Sequence, residues 1–130
     1  MTDDECGAVT VLLLGVVGLA MVLAVALAAT GTVIGAHRQA VAAADAAALA
    51  AAPVTFRPFG ARASPAEEAA RFAEANGARL VRCVCPPDSS WGPRVVMVEV
   101  ARVVPFPPLG SLTVTAIGRA EFIPAALLGG

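Results

Sequence analysis

Charge is scarce in this sequence. Only 15% of its 130 residues are Asp, Glu, Lys or Arg, and the formal net charge is −1. Soluble domains usually carry about a quarter charged residues. Neither sign accumulates, so no field recruits nucleic acid, and no basic cluster with interleaved aromatics occurs. Histidine occurs once, as His37, without a partner carboxylate or a serine motif. No glycine-rich phosphate loop follows a strand-like segment, and no pair of carboxylates has a recognisable context. The three cysteines, Cys6, Cys83 and Cys85, lack the second cluster that a four-ligand zinc site needs. These absences leave no catalytic residue, metal ligand set or cofactor to assign, and the chain reads as a non-enzyme.

What is abundant is apolar. Hydrophobic residues make up 58% of the chain, and the mean hydropathy is +0.77. The excess is concentrated in AVTVLLLGVVGLAMVLAVALAATGTVIGA, Ala8 to Ala36, which contains no Asp, Glu, Lys or Arg. A bilayer core about 30 Å thick needs roughly 20 helical residues, so this run is long enough to cross with tilt. The alternative, a buried helix of a soluble protein, fails on size: the remaining residues cannot surround so long an apolar cylinder. A single-pass membrane helix over 8–36 is therefore expected. Its flanks vote weakly on orientation. MTDDEC has no basic residue, whereas His37 and Arg38 follow the span, so counting basic charge would place the C-terminal side in the cytoplasm.

The helical pattern continues beyond the apolar run. HRQAVAAADAAALAAA, His37 to Ala52, is rich in the best helix former and holds no Gly or Pro until Pro53. One helix from Ala8 to Ala52 is expected, with 37–52 outside the membrane. Small residues recur at every fourth position, at Ala20, Ala24, Ala28, Thr32, Ala36, Ala40, Ala44, Ala48 and Ala52, and Gly31 with Gly35 forms a GxxxG. Such ridges let membrane helices approach closely. Asp45 interrupts the alanines either as part of a solvated face or as a register-setting contact with a neighbouring helix.

Residues 53–63 read as a linker, tacked down by Phe56 and Phe59. A short second helix follows: Ser64 suits the N-cap, Pro65 the first helical position and Glu67 the capping box, with Gly77 after Asn76 as the stop. Its apolar side is expected to hold Ala66, Ala69, Ala70, Phe72 and Ala73. Three strand-like runs come next. Arg79–Cys85 alternates, placing Val81 with Cys83 and Leu80 with Val84. Arg94–Val104 is rich in β-branched residues. Ser111–Phe122 puts Leu112, Val114, Ala116, Ala120 and Phe122 on one face and Thr113, Thr115, Arg119 and Glu121 on the other. The expected fold is α+β: a long N-terminal transmembrane helix, a short second helix and a three-stranded antiparallel sheet. The small domain spans 64–124, with a tail over 125–130. Cys83 and Cys85 can pair with each other, pair between chains, or pack as an inward and an outward side chain without bonding. Trp91 fits either interface anchoring or loop packing.

Two stretches resemble a known family. The short polar leader ending at Gly7, followed directly by the apolar helix in CGAVTVLLLG, resembles the class III leader of type IV pilin-like proteins. HRQAVAAADAAALAAA resembles the segment after the membrane helix in TadE- and TadG-like proteins of Tad (Flp) pilus systems. EEAARFAEANGARLVRC, with the later LTVTAIGRAEF, is similar to small actinobacterial TadE-like proteins from secretion and pilus gene neighbourhoods. The resemblance implies a pilin-like fold and a cytoplasmic leader over residues 1–7. It also implies cleavage of the Gly7–Ala8 bond by a prepilin peptidase, and an outer domain on the far side of the cell membrane. It names as partners the membrane, other pilin-like subunits and the Tad assembly proteins, with no nucleic acid. Helix packing would then fall to Ala20, Ala24, Ala28, Gly31 and Gly35.

Three departures qualify it. Pilin helices usually carry Glu at the fifth mature position, where this chain has Leu12. The leader carries Asp3, Asp4 and Glu5 in place of basic residues. Relatives often hold a cysteine near the start of the second helix, able to bridge to the one at Cys83; here that region reads Ala63-Ser64-Pro65, which makes Cys85 the replacement partner. The resemblance thus implies a minor pilin-like component. The alternative is a permanently anchored protein whose outer domain binds a partner.

Overall fold

The computed structural model describes residues 3–56, 63–107 and 109–129. Phe59 and the middle of the expected linker lie outside them. The elements run α1 (Asp3–Val54), α2 (Pro65–Ala75), β1 (Arg79–Val84), β2 (Arg94–Pro105) and β3 (Ser111–Phe122), ending in a 3-10 turn at Pro124–Leu128. Two compact units emerge, Met1–Gly35 and Ala36–Gly130.

In the first unit, α1 is apolar all round and its side chains find no cover. Leu12, Leu19, Leu23 and Leu27 are 55–73% exposed, as expected of a helix whose solvent is lipid rather than water. Two hydroxyls occur in the upper part of the run, and each is satisfied within the helix. Thr30 Oγ1 donates to the Ala26 carbonyl at 2.8 Å and Thr32 Oγ1 to that of Ala28 at 3.0 Å. In a bilayer such back-bonding removes the cost of an unpaired donor.

In the second unit the same helix has one buried face, made of alanine. Ala40, Ala43, Ala44, Ala47, Ala48 and Ala51 are all fully buried, with the 3–4 spacing of a helical stripe. They meet Val96, Val98 and Val100 of β2 and Ala116 and Ala120 of β3 in a single core. Valine alternation on β2 supplies every second residue inward, as a strand requires. At the closest point glycine is obligatory: a Cβ on Gly118 would collide with the Ala44 carbonyl group and stand 2.7 Å from the Asp45 nitrogen. The alanines and this glycine let helix and sheet backbones approach closely.

The helix outlasts its expected end by one turn's edge. Pro53 lies in the last turn and the helix closes at Val54. The Thr55 hydroxyl donates to the Ala52 carbonyl at 2.6 Å. The same carbonyl also accepts from the Thr55 N–H at 3.3 Å, so this acceptor at the helix end is paired. The second helix starts as its capping residues predict. Ser64 Oγ accepts from the Glu67 N–H at 3.2 Å while Glu67 Oε2 accepts from the Ser64 N–H at 2.6 Å. It ends at Asn76, with Gly77 at φ +72 in the left-handed region that suits glycine. Only Pro65, Ala69 and Ala73 are buried on this helix; Ala66 and Phe72 face outward, against the expected apolar side.

The sheet order is β1-β2-β3, antiparallel throughout. β1 departs from simple alternation. The register shifts between Leu80 and Arg82, so that Leu80 lies opposite Val100 and Cys83 opposite Val98. Val81 is the extra residue of a bulge, and one inserted residue reverses the parity of everything after it. Leu80 and Cys83 therefore share the core side, where strict alternation would pair Cys83 with Val81. The other face of the sheet, which includes Val95, Val103 and Ile117, is open. It carries the exposed Arg82–Glu99 ion pair at 3.6 Å, a pair worth little in water.

Candidate functional site

Gly7 and Ala8 sit on exposed helical backbone within the first two turns of α1. The packing residues follow higher up. Ala20, Ala24, Ala28 and Gly31 are exposed and Gly35 is half-covered. At 100° per residue these five positions fall within an arc of about 80° on the helix surface. The GxxxG and the lower part of the alanine ridge thus form one stripe, not two separate features.

The upper part of the ridge behaves differently. Steps of four drift by about 40° each, so the ridge winds around the helix instead of holding one face. By Ala40, Ala44 and Ala48 it has turned onto the side buried against the chain's own sheet. Half the small-residue pattern is therefore consumed inside the domain, and only the part below Ala36 stays open to other helices.

Glycines sharpen this contrast. A Cβ added at Gly15, Gly18, Gly31 or Gly35 would meet nothing within 4 Å, whereas one at Gly118 is forbidden. Each helical glycine costs up to about 1 kcal/mol relative to alanine. The fold itself gives the four in the apolar run no steric reason to be glycine.

At the far end of the domain, a loop cluster closes the end of α1. Phe56 is buried, its ring 4.9 Å from that of Trp91 in an edge-on arrangement and 6.4 Å from that of Phe122. Of the two openings left for Trp91, this is loop packing. Arg94 lies 5.4 Å over the Phe56 ring and donates to the carbonyls of Asp88, Ser90 and Gly92. The Asp88 N–H donates to the Thr55 carbonyl at 2.9 Å. Asp88 is held below the usual carboxylate range chiefly by the Ser90 N–H, then by the Ser90 hydroxyl, with Arg94 adding a smaller pull. The loop is thus a built structure anchored on one arginine.

Cys83 and Cys85 are bonded to each other, with Cα atoms 5.4 Å apart, and both pack half-buried against the core. Asp45 is exposed. His37 is exposed as well. Among the described residues no group of three or more His, Cys, Asp or Glu gathers where it could hold a metal.

Among the described residues one helix, Gly7–Val54, is long and apolar enough to cross a membrane. No curated protein and no solved structure matches the chain. Residues 7–55 do match a protein family, described as "Putative Flp pilus-assembly TadE/G-like". The match covers the apolar helix together with its alanine-rich continuation. The TadE/G-like part of the chain is accordingly its N-terminal segment, residues 7–55.

Proposed function

We propose that this chain is a minor pilin-like structural component of a Tad/Flp-type pilus or a related secretion apparatus, and that it performs no catalysis. The observation that carries this reading is the stripe of Ala20, Ala24, Ala28, Gly31 and Gly35. From Ala20 to Gly31 it is exposed, and its two glycines cost helix stability although a Cβ on either would meet nothing within 4 Å inside the fold. Close approach by other apolar helices gives them a purpose, and a bundle of pilin-like helices is such a setting.

In this reading residues 1–7 are a cytoplasmic leader, and a prepilin peptidase hydrolyses the Gly7–Ala8 bond. The position suits it, because helix ends fray and glycine is the residue that helices hold least firmly. The rest of the helix waits in the cell membrane for assembly proteins to pack it. The domain beyond Ala36 lies outside the cytoplasm, where the Cys83–Cys85 bond is chemically at home. Leu12 in place of the usual Glu suits a minor component over the main subunit, since no buried carboxylate is present to pair with a neighbour's terminal amine.

A second reading has specific support in the acidic leader: a permanent single-pass anchor, never cleaved, whose outer domain binds a partner. The two separate on one experiment, the Gly7→Leu variant expressed in the native host. Blocked cleavage, seen as a retained leader mass, supports processing. An unchanged mature mass contradicts it.

A further inference from the structure

The β2–β3 hairpin carries the longest uncharged stretch outside the apolar helix. From Val103 to Gly118 there is no Asp, Glu, Lys, Arg or His. The turn is closed by the Phe106 N–H donating to the Gly110 carbonyl at 2.7 Å, with Gly110 at φ +103. Around it the apolar side chains point out: Leu109 is 81% exposed, Val103 62% and Leu112 40%. Pro105 and Pro107 are exposed too. An exposed apolar tip of this kind in water is a liability, and such patches mark contacts with a partner or a membrane.

Its place in the domain says which. Gly118 lies against Ala44, and the Phe122 ring lies 6.4 Å from Phe56. β3 and this part of α1 therefore advance in the same sense, and moving back along β3 means moving back toward Ala36. From Gly118 to Ser111 is about 24 Å of strand, whereas Ala44 to Ala36 is about 12 Å of helix. Even inclined by about 45°, the strand covers about 17 Å of that axis. The hairpin tip thus reaches the level of Ala36, the end of the domain at which the chain enters its apolar run. The first ionic side chains behind the tip on β2 and β1 are Arg102 and Arg79, both cationic. Arg79 is exposed, and the Arg102 guanidinium donates to the carbonyls of Asn76 and Gly77, both at 3.3 Å. Cations at that height suit phosphate headgroups.

We infer that the β2–β3 hairpin is a second membrane contact, its tip of Phe106, Leu109 and Leu112 entering the leaflet that faces the domain. The inference rests on the membrane-anchored reading of α1. Seated about 5–10 Å into the headgroup and acyl boundary, the tip would restrain the domain at the bilayer surface.

Tryptophan fluorescence in vesicles of phosphatidylcholine and phosphatidylglycerol with brominated acyl chains tests this on the full chain. The protein has a single tryptophan, Trp91, packed on Phe56 at the opposite end of the domain, so it serves as the distant control. Two probes are built on a Trp91→Phe background, Leu109→Trp at the tip and Leu19→Trp in the span; both positions are exposed, so neither disturbs packing. The expected result is strong quenching and a blue shift for both probes, with little quenching of native Trp91. A quenched span probe with an unquenched tip probe overturns the hairpin contact and leaves the anchor intact. An unquenched span probe overturns the membrane reading and this inference with it. A tip probe that is blue-shifted yet unquenched means that protein, a second copy included, covers the tip, and it also refutes lipid contact.

Discussion

Gly118 lies hard against the Ala44 backbone, with no room for a Cβ between them. Replacing Gly118 with alanine forces a methyl into the backbone of α1. Overpacking of this kind costs about 1–3 kcal/mol, to be read as a lowered denaturation midpoint. Gly31→Ala, whose Cβ meets nothing, should leave the domain's stability unchanged, and an equal loss in both variants would contradict the close-approach argument. The cysteines should matter less to stability. A bridge between Cys83 and Cys85 closes a loop of only three residues, which by loop-entropy arguments contributes roughly 1.5 kcal/mol. Cys83→Ser with Cys85→Ser should therefore still fold, with a modestly lower midpoint. Glu67 gives a pH signature. Its carboxylate is held below the ordinary range mainly by the Ser64 N–H and then by the Ser64 hydroxyl. A depressed folded-state value means that this contribution is complete above the ordinary carboxylate range. It is lost only as pH falls through the lowered folded value. Glu67→Gln should flatten that acid-side loss; an identical acid profile would remove the capping box from the account.

The elements differ in how openly the chain announces them. α2 is spelled out by local chemistry, since Ser64, Pro65, Glu67 and Gly77 act through neighbours within a few residues, and it forms over Pro65–Ala75. β3 is equally plain, because its period-two pattern is undisturbed from Ser111 to Phe122. The bulge in β1 was not legible. Val81 looks like any alternating residue, and only pairing with β2 decides that it stands outside the register. Phe72 misleads for a related reason: an aromatic on a short helix looks like core, yet the sheet leaves room only for Ala69 and Ala73. The alanine ridge was visible along its whole length, but the division between its two uses depends on where the sheet lies, which no spacing rule states. The uncharged run from Val103 to Gly118 stands in the sequence, but the exposure of Val103, Leu109 and Leu112 is seen only in the fold. At this scale the packing stripe can be tested directly. Gly31→Leu and Gly35→Leu should leave the outer domain folded and the protein in the membrane while reducing crosslinking to its neighbours. Undiminished crosslinking would assign the stripe no part in assembly.

At the scale of the whole molecule, one helix carries two different surfaces. Below Ala36 it is apolar all round with an open stripe of small residues. Above Ala36 its alanine face is spent on the sheet, which makes the domain and the upper helix a single core. A chain built this way can present its lower helix to other helices while its upper helix and sheet share one core. The central claim is that the chain is made as a precursor and matured for assembly at Gly7. The most direct test is the intact mass and N-terminal sequence of the protein purified from its host's membranes. The account predicts a mature chain beginning at Ala8, and a chain that still begins at Met1 or Thr2 would contradict it.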